Sequence, residues 1–262
     1  MLIFNCTKAA SDFFTTIRKG NKLSPMSPTP KCELSEEPVL HDHQQWHWMV
    51  HVKKFGHRNV ILAMDTDSRF CMIFWGLKKG NIQKFLEQFH DRFSLHIISV
   101  INMGGQDETL LNVSMESFLE THHEYAFVPR GDRSVQAHIN DALMNLQYEQ
   151  YRWEDDLPTE EELFISDLRH NDTPRKRKQD RDYIFPTEIL FNTWLSRYAN
   201  LDEQTIKHTI SKYRQTNSQL WRFPFDIDVG DLNFSEIETV IAEALSDNVL
   251  SFEDYFKQKN CK

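Results

Sequence analysis

The chain has 262 residues, 40% of them hydrophobic and 12% aromatic, with a formal net charge of −9. That is enough apolar mass for a packed core in one large domain or two small ones. The acidic balance disfavours a broad, sequence-independent grip on nucleic acid, which needs many Lys and Arg to neutralise phosphates. The cysteines Cys6, Cys32, Cys71 and Cys261 form no C-x-x-C pair, which indicates a reducing, cytoplasmic setting. No segment approaches about 18 apolar residues, so neither export nor membrane insertion is expected.

Residues 2–6 predict a short apolar strand, and 9–18 a helix with Phe13, Phe14 and Ile17 on one face. The prolines of 24–30 and the acidic stretch at 33–38 predict a long surface loop. Residues 46–80 then read as an antiparallel meander of three strands. In the first, Trp46, Trp48, Val50 and Val52 alternate with His47, Met49, His51 and Lys53, the pattern of a half-buried strand near an edge. The runs 60–64 and 70–75 are apolar on both faces, which predicts central strands covered above and below. Gly56 and Asp65-Thr-Asp-Ser68 suit the two turns. The C-terminal helices or a second subunit are expected to supply part of that cover.

Ile82, Phe85, Leu86, Phe89 and Phe93 recur at helical spacing. Residues 95–101 fit a helix or a strand equally, and Gly104-Gly105 ends either. A short helix at 115–119, a strand at 125–128 and an amphipathic helix through Val135, Ile139, Leu143 and Leu146 follow. The chain turns strongly charged over 151–182, where Thr159 and Glu162 form a capping box for a short helix. Beyond it Ile189, Leu190, Trp194 and Leu195 form one helical stripe and Ile206, Ile210 and Tyr213 another, while Ser235 with Glu238 caps a last helix. The reading is an α+β fold: an antiparallel or mixed sheet with packed helices over 1–150, a charged linker over 151–182, and a small all-helical unit over 183–262.

Three pieces can be taken together: Phe4-Asn-Cys-Thr-Lys8, the meander from Trp46-His47 to Trp75-Gly-Leu-Lys78, and Asp132-Arg-Ser-Val135 with Asn140-Asp141. Over roughly residues 1–150 their order and spacing resemble the bacterial domain-of-unknown-function family DUF6933. The resemblance implies a small cytoplasmic bacterial α/β protein and carries no catalytic residues or cofactor. It draws notice to Asp132 and Ser134, which can cap free N–H groups at a helix start, where an anion can also sit.

Among residues with chemistry to offer, His47 and His51 share a strand face but stand about 13 Å apart at about 3.3 Å per residue, too far to chelate one ion. His41 and His43 do not complete a ligand set with His47. Arg133 and His138 have the R-x4-H spacing of HEPN-type ribonucleases, in which Arg holds phosphate and His moves a proton; against this, the motif follows a strand and His138 falls on an apolar stripe, where a buried imidazole is the simpler reading. Asp65 and Asp67 can act as a carboxylate pair on a metal or as acid and base, or as an ordinary turn. Asp226 to Asp231 echoes a calcium loop but lacks the required Gly and Glu. The basic run Arg175-Lys-Arg-Lys178 offers a nucleic-acid contact or a solvated linker.

No metal, cofactor or catalytic set is therefore expected. The preferred function is a non-catalytic, macromolecule-binding protein that takes a protein partner or a second copy through a sheet edge or the C-terminal helices. The alternative is a nucleic-acid-acting enzyme using Arg133 and His138 or Asp65 and Asp67. A third possibility is a small-ligand module with Trp46, Trp48 and Trp75 as a pocket wall.

Overall fold

The computed structural model describes residues 1–28, 45–149, 158–177 and 180–220. Most of the loop before Trp46, the acidic run at 154–156, Lys178, the calcium-like loop and the helix at Ser235 lie outside the described residues. In chain order the elements are β1 (Leu2–Cys6), α1 (Lys8–Phe14), β2 (Thr16–Arg18), β3 (Asn21–Leu23), β4 (Trp46–Phe55), β5 (Arg58–Asp65), β6 (Cys71–Trp75) and α2 (Ile82–Met103). They continue with α3 (Glu108–Thr121), β7 (Tyr125–Pro129), α4 (Arg133–Glu149), α5 (Glu160–Asp172), α6 (Pro186–Arg197) and α7 (Glu203–Leu220).

The fold is α+β, and its main sheet is mixed, in the order β6-β5-β4-β1-β7. The meander β4-β5-β6 is antiparallel as expected, whereas β1 runs parallel to both β4 and β7. Two positions correct the sequence reading. The first meander strand, expected near an edge, is the central strand, and its polar face meets polar groups of β1 and of the α1 cap: Asn5 Nδ2 lies 3.3 Å from His47 Nδ1, and His51 Nδ1 lies 2.9 Å from Thr7 Oγ1. Alternation there reports a polar neighbour, not open solvent. Conversely β6, expected to be central, is an edge strand.

One face of the sheet is an aromatic layer. Phe4 stacks on Phe127 and meets Phe85 and Phe89 of α2 edge-on at 5.5 and 5.0 Å, and Trp48 meets Phe89 at 4.9 Å. Such edge-to-face contacts add to the area buried. The other face, with Met49, Leu62, Met64 and Ile73, packs against Val135, Ile139, Leu143 and Leu146 of α4 and Leu163 of α5. Helices from within residues 1–190 thus pack on both faces. The first helix is shorter than its pattern suggested: at Thr15 the chain turns extended, and the β-branched run Thr15-Thr-Ile17 enters the β2-β3 ribbon, leaving Ile17 exposed.

The buried backbone of β6 needs partners on its outer side, since unpaired N–H and C=O groups away from water are costly. Two α5 side chains one turn apart supply them. Asn171 accepts from Cys71 N and donates to Cys71 O, both at 2.7 Å, and Asp167 accepts from Ile73 N at 2.8 Å. Asn171 and Asp167 are fully buried. The charged segment at 151–182 therefore contains a helix that acts as a substitute strand. Its N-terminus carries the expected Thr159–Glu162 capping box.

The chain divides into two compact units: Met1–Phe89 with Phe118–Leu190, and His90–Ser117 with the chain from Phe191 on. In the second, α2 proves helical through Met103, and Phe93 meets Trp194 edge-on at 5.9 Å. Gln106 Nε2 donates to Thr209 Oγ1 at 2.7 Å. Gly104 is needed because a Cβ there would stand 2.8 Å from Thr209 Cγ2.

Replacing Asn171 by Ala strands a buried N–H and C=O of Cys71. The expected cost is about 2–4 kcal/mol in urea unfolding, with faster hydrogen exchange at Cys71 and Ile73. A loss below about 0.5 kcal/mol would show that water or a neighbour replaces the amide.

Candidate functional site

Within the first unit, a cavity of about 260 Å³ lies between α4 and the chain leaving α5. His138, Asp141 and Asn145 reach it from α4, three and four residues apart and so on one side of the helix. His170, Arg175, Lys176 and Tyr183 are among the other residues of its wall. The Lys176 ammonium lies 5.6 Å from the Tyr183 ring centre.

Arg175 ties this region together. It is 7% exposed; Nη1 donates to His138 O at 3.2 Å, and Nη2 to His170 O at 3.1 Å and towards Cys71 Sγ at 3.5 Å. Its fork is thus spent on neutral acceptors. No carboxylate pairs with it among the described residues, and its Nε has no acceptor. An unpaired buried cation is costly, which makes the adjoining cavity chemically interesting.

The expected burial of His138 is corrected: the residue is half-buried and lines the cavity. On α4 it lies at the margin of the stripe formed by Val135, Ile139, Ala142 and Leu146. Desolvation lowers its pKa, and the charges of Arg69 and Arg175 lower it further, against a smaller opposing effect of Asp141. Arg133 is exposed at the first position of the helix. A spacing of five residues sets it about 140° from His138 around the axis, so α4 does not present the two on one face.

The β5–β6 turn holds Asp65 and Asp67 in different roles. Asp65 is buried and accepts from Trp46 Nε1 at 3.0 Å, Ser68 N at 2.8 Å and the Ser68 hydroxyl. Burial pushes its carboxyl above the ordinary value, against the pull of the Ser68 and Trp46 hydrogen bonds. Asp67 is exposed and pairs with Arg177 Nη1 at 3.2 Å. Arg177 also clasps Asp180, whose carboxyl it draws below the ordinary range. These carboxylates organise the turn and anchor the chain that follows α5. Of the basic run, only Lys176 is exposed among the described residues, so the run is largely built into the structure.

Arg69 escaped sequence reading altogether. It closes the turn in the left-handed region with φ of 67°, unusual for a non-glycine residue. Its Nη2 donates to Ser134 Oγ at 3.3 Å, while Asp132 caps the same helix through Ser134 N and Val135 N at 2.8 and 3.0 Å. His47 is engaged with Asn5, and no cluster of three His, Cys, Asp or Glu that can hold a metal occurs among the described residues. Trp46 and Trp48 pack into the aromatic layer, and Trp75 meets Phe55 edge-on at 5.7 Å, so the tryptophans are packing residues and do not line the cavity.

Because the folded state depresses the His138 pKa, stability from this group is intact above the ordinary histidine value and is lost as pH falls through that value towards the folded one. A histidine NMR titration is expected to place His138 below its ordinary midpoint, and Arg69→Gln to move it upward. An unmoved midpoint would remove Arg69 from the electrostatics of this wall.

No curated protein matches the chain, and no solved structure matches it. The family model for DUF6933, a domain of unknown function, matches residues 3–189, from the first strand through α5 and the cavity wall into α6. The chain therefore belongs to the DUF6933 family.

Proposed function

We propose that this chain is a non-catalytic binding protein of the bacterial cytoplasm and that it takes a protein partner over the outer side of α4. The observation that carries this reading is a set of exposed apolar side chains on α4 and on the chain that leaves α5. Met144 and Tyr148, one turn apart on α4, are 52% and 69% exposed, and Tyr183 and Phe185 are 65% and 44% exposed. Met144 and Tyr148 neighbour the cavity-lining Asp141 and Asn145 by helical spacing. Aromatic and Met side chains beside Arg are the composition enriched in protein interfaces.

Strand addition at β6 is not the favoured mode, since Asn171 and Asp167 already occupy its outer backbone groups. The cytoplasmic assignment draws support from Cys6 and Cys71, both free and buried; burial pushes the Cys71 thiol up to about 11. No helix among the described residues is long and apolar enough to cross a membrane. The catalytic alternative has no comparable support, because Arg133 and His138 diverge around α4 and both Asp65 oxygens are spent on the turn.

The test is affinity purification of the full chain from its native host, alongside the double variant Met144→Ser, Tyr148→Ser. Both side chains are exposed, so the melting temperature should hold while recovery of a stoichiometric partner falls at least about tenfold. A complex that survives the double variant, or a full chain that sediments alone and recovers nothing, sinks the proposal.

A further inference from the structure

The cavity has a chemical preference that its apolar rim does not share. Two cationic side chains, Arg175 and Lys176, face one carboxylate, Asp141, along its wall, with His138, His170 and Tyr183 beside them. Arg175 is buried and spends its η nitrogens on carbonyls and a thiol; among the described residues no carboxylate is in ion-pair contact with it, and its Nε has no acceptor. The positive field extends to His138, where Arg69 and Arg175 both oppose protonation of the ring. A field that repels an imidazolium attracts an anion. Arg and Lys together supply the charge-assisted donors that phosphoryl oxygens accept.

The geometry points to a phosphoryl-binding subsite in this cavity, with Arg175 and Lys176 as the cations of its wall. A volume of about 260 Å³ lies just below the range typical of drug-sized ligands, which suits one charged group and its immediate attachment. A phosphate monoester carries about −1.5 to −2 charge at neutral pH, so it matches two cations better than a carboxylate does. This inference rests on the proposed protein partner only for the molecule that would carry the phosphoryl group; the group itself is either free or borne on a peptide segment.

Calorimetry and 31P NMR on the full chain, with inorganic phosphate, a phosphoserine peptide, its unphosphorylated counterpart and acetate, separate these cases. Saturable binding of phosphate or of the phosphopeptide is expected, with acetate and the plain peptide at least about tenfold weaker. Equal affinity for phosphate and phosphopeptide identifies a free ligand, and a marked preference for the phosphopeptide identifies a partner-borne one. Arg175→Gln should abolish binding, but it also removes ties between α4, α5 and β6. Two surface variants therefore carry the decision: Lys176→Gln should weaken binding about tenfold, and Asp141→Asn should strengthen it about threefold, a gain that misfolding cannot produce. Met144→Ser with Tyr148→Ser should leave phosphate binding unchanged, so loss of the protein partner and loss of the subsite are read separately. Absence of saturable phosphate and phosphopeptide binding overturns the inference, as does binding indifferent to both Lys176→Gln and Asp141→Asn.

Discussion

The outer backbone of β6 is the constraint on which much of the first unit depends. A sheet of this order ends in a strand whose side chains are almost wholly buried, and whose outer N–H and C=O groups cannot then be left to water. Side chains from a helix solve the problem in place of a sixth strand. Asn171 mimics a peptide unit by accepting from and donating to the same residue, Cys71, and Asp167 adds an acceptor for Ile73 N. Because these atoms lie one helical turn apart, α5 must run beside the strand within narrow limits. That placement fixes the chain that leaves α5, and with it Arg175, Lys176 and the wall of the cavity.

The aromatic layer on the opposite face has a different logic. Phe4, Phe85, Phe89, Phe127 and Trp48 form a continuous set of edge-to-face and stacked contacts, needing no polar partner beyond the Trp indole. It stabilises the sheet by area and shape. On the other face the polar residues of β1 and β4, the ion network of the β5–β6 turn, and α4 share space with an ordinary apolar core. Helices pack on both faces, and exposed apolar side chains remain on α4 at Met144 and Tyr148 and beyond α5 at Tyr183 and Phe185.

The periodic parts of the fold were legible in the sequence. The meander, the helix through Phe85 and Phe89, the capping box at Thr159 and the start of a helix at Pro186 all follow from local patterns. Strand order was not. Burial on both faces marks β6 as covered without saying whether a strand or a helix covers it, and the histidines of β4 mark polar surroundings without distinguishing solvent from Asn5 and Thr7. The candidate residues divide in the same way. Asp65 was readable as a turn residue because its partner Ser68 is local. Arg69, Asp167, Asn171 and the burial of Arg175 depend on partners 65 to 104 residues away, and no spacing rule reaches that far.

Arg175 shows why such a residue resists reading from sequence and why it matters in the structure. Inside a basic run it looks like solvated charge. In the fold it acts as a three-way strut, and its geometry, not its charge, is what holds α4 and α5 at the start of β6. Among the described residues no carboxylate is in ion-pair contact with Arg175, and Asp141 stands on the same cavity wall. The wall that Arg175 shares with Lys176 carries two cations and one carboxylate, a balance that favours an anion over a cation.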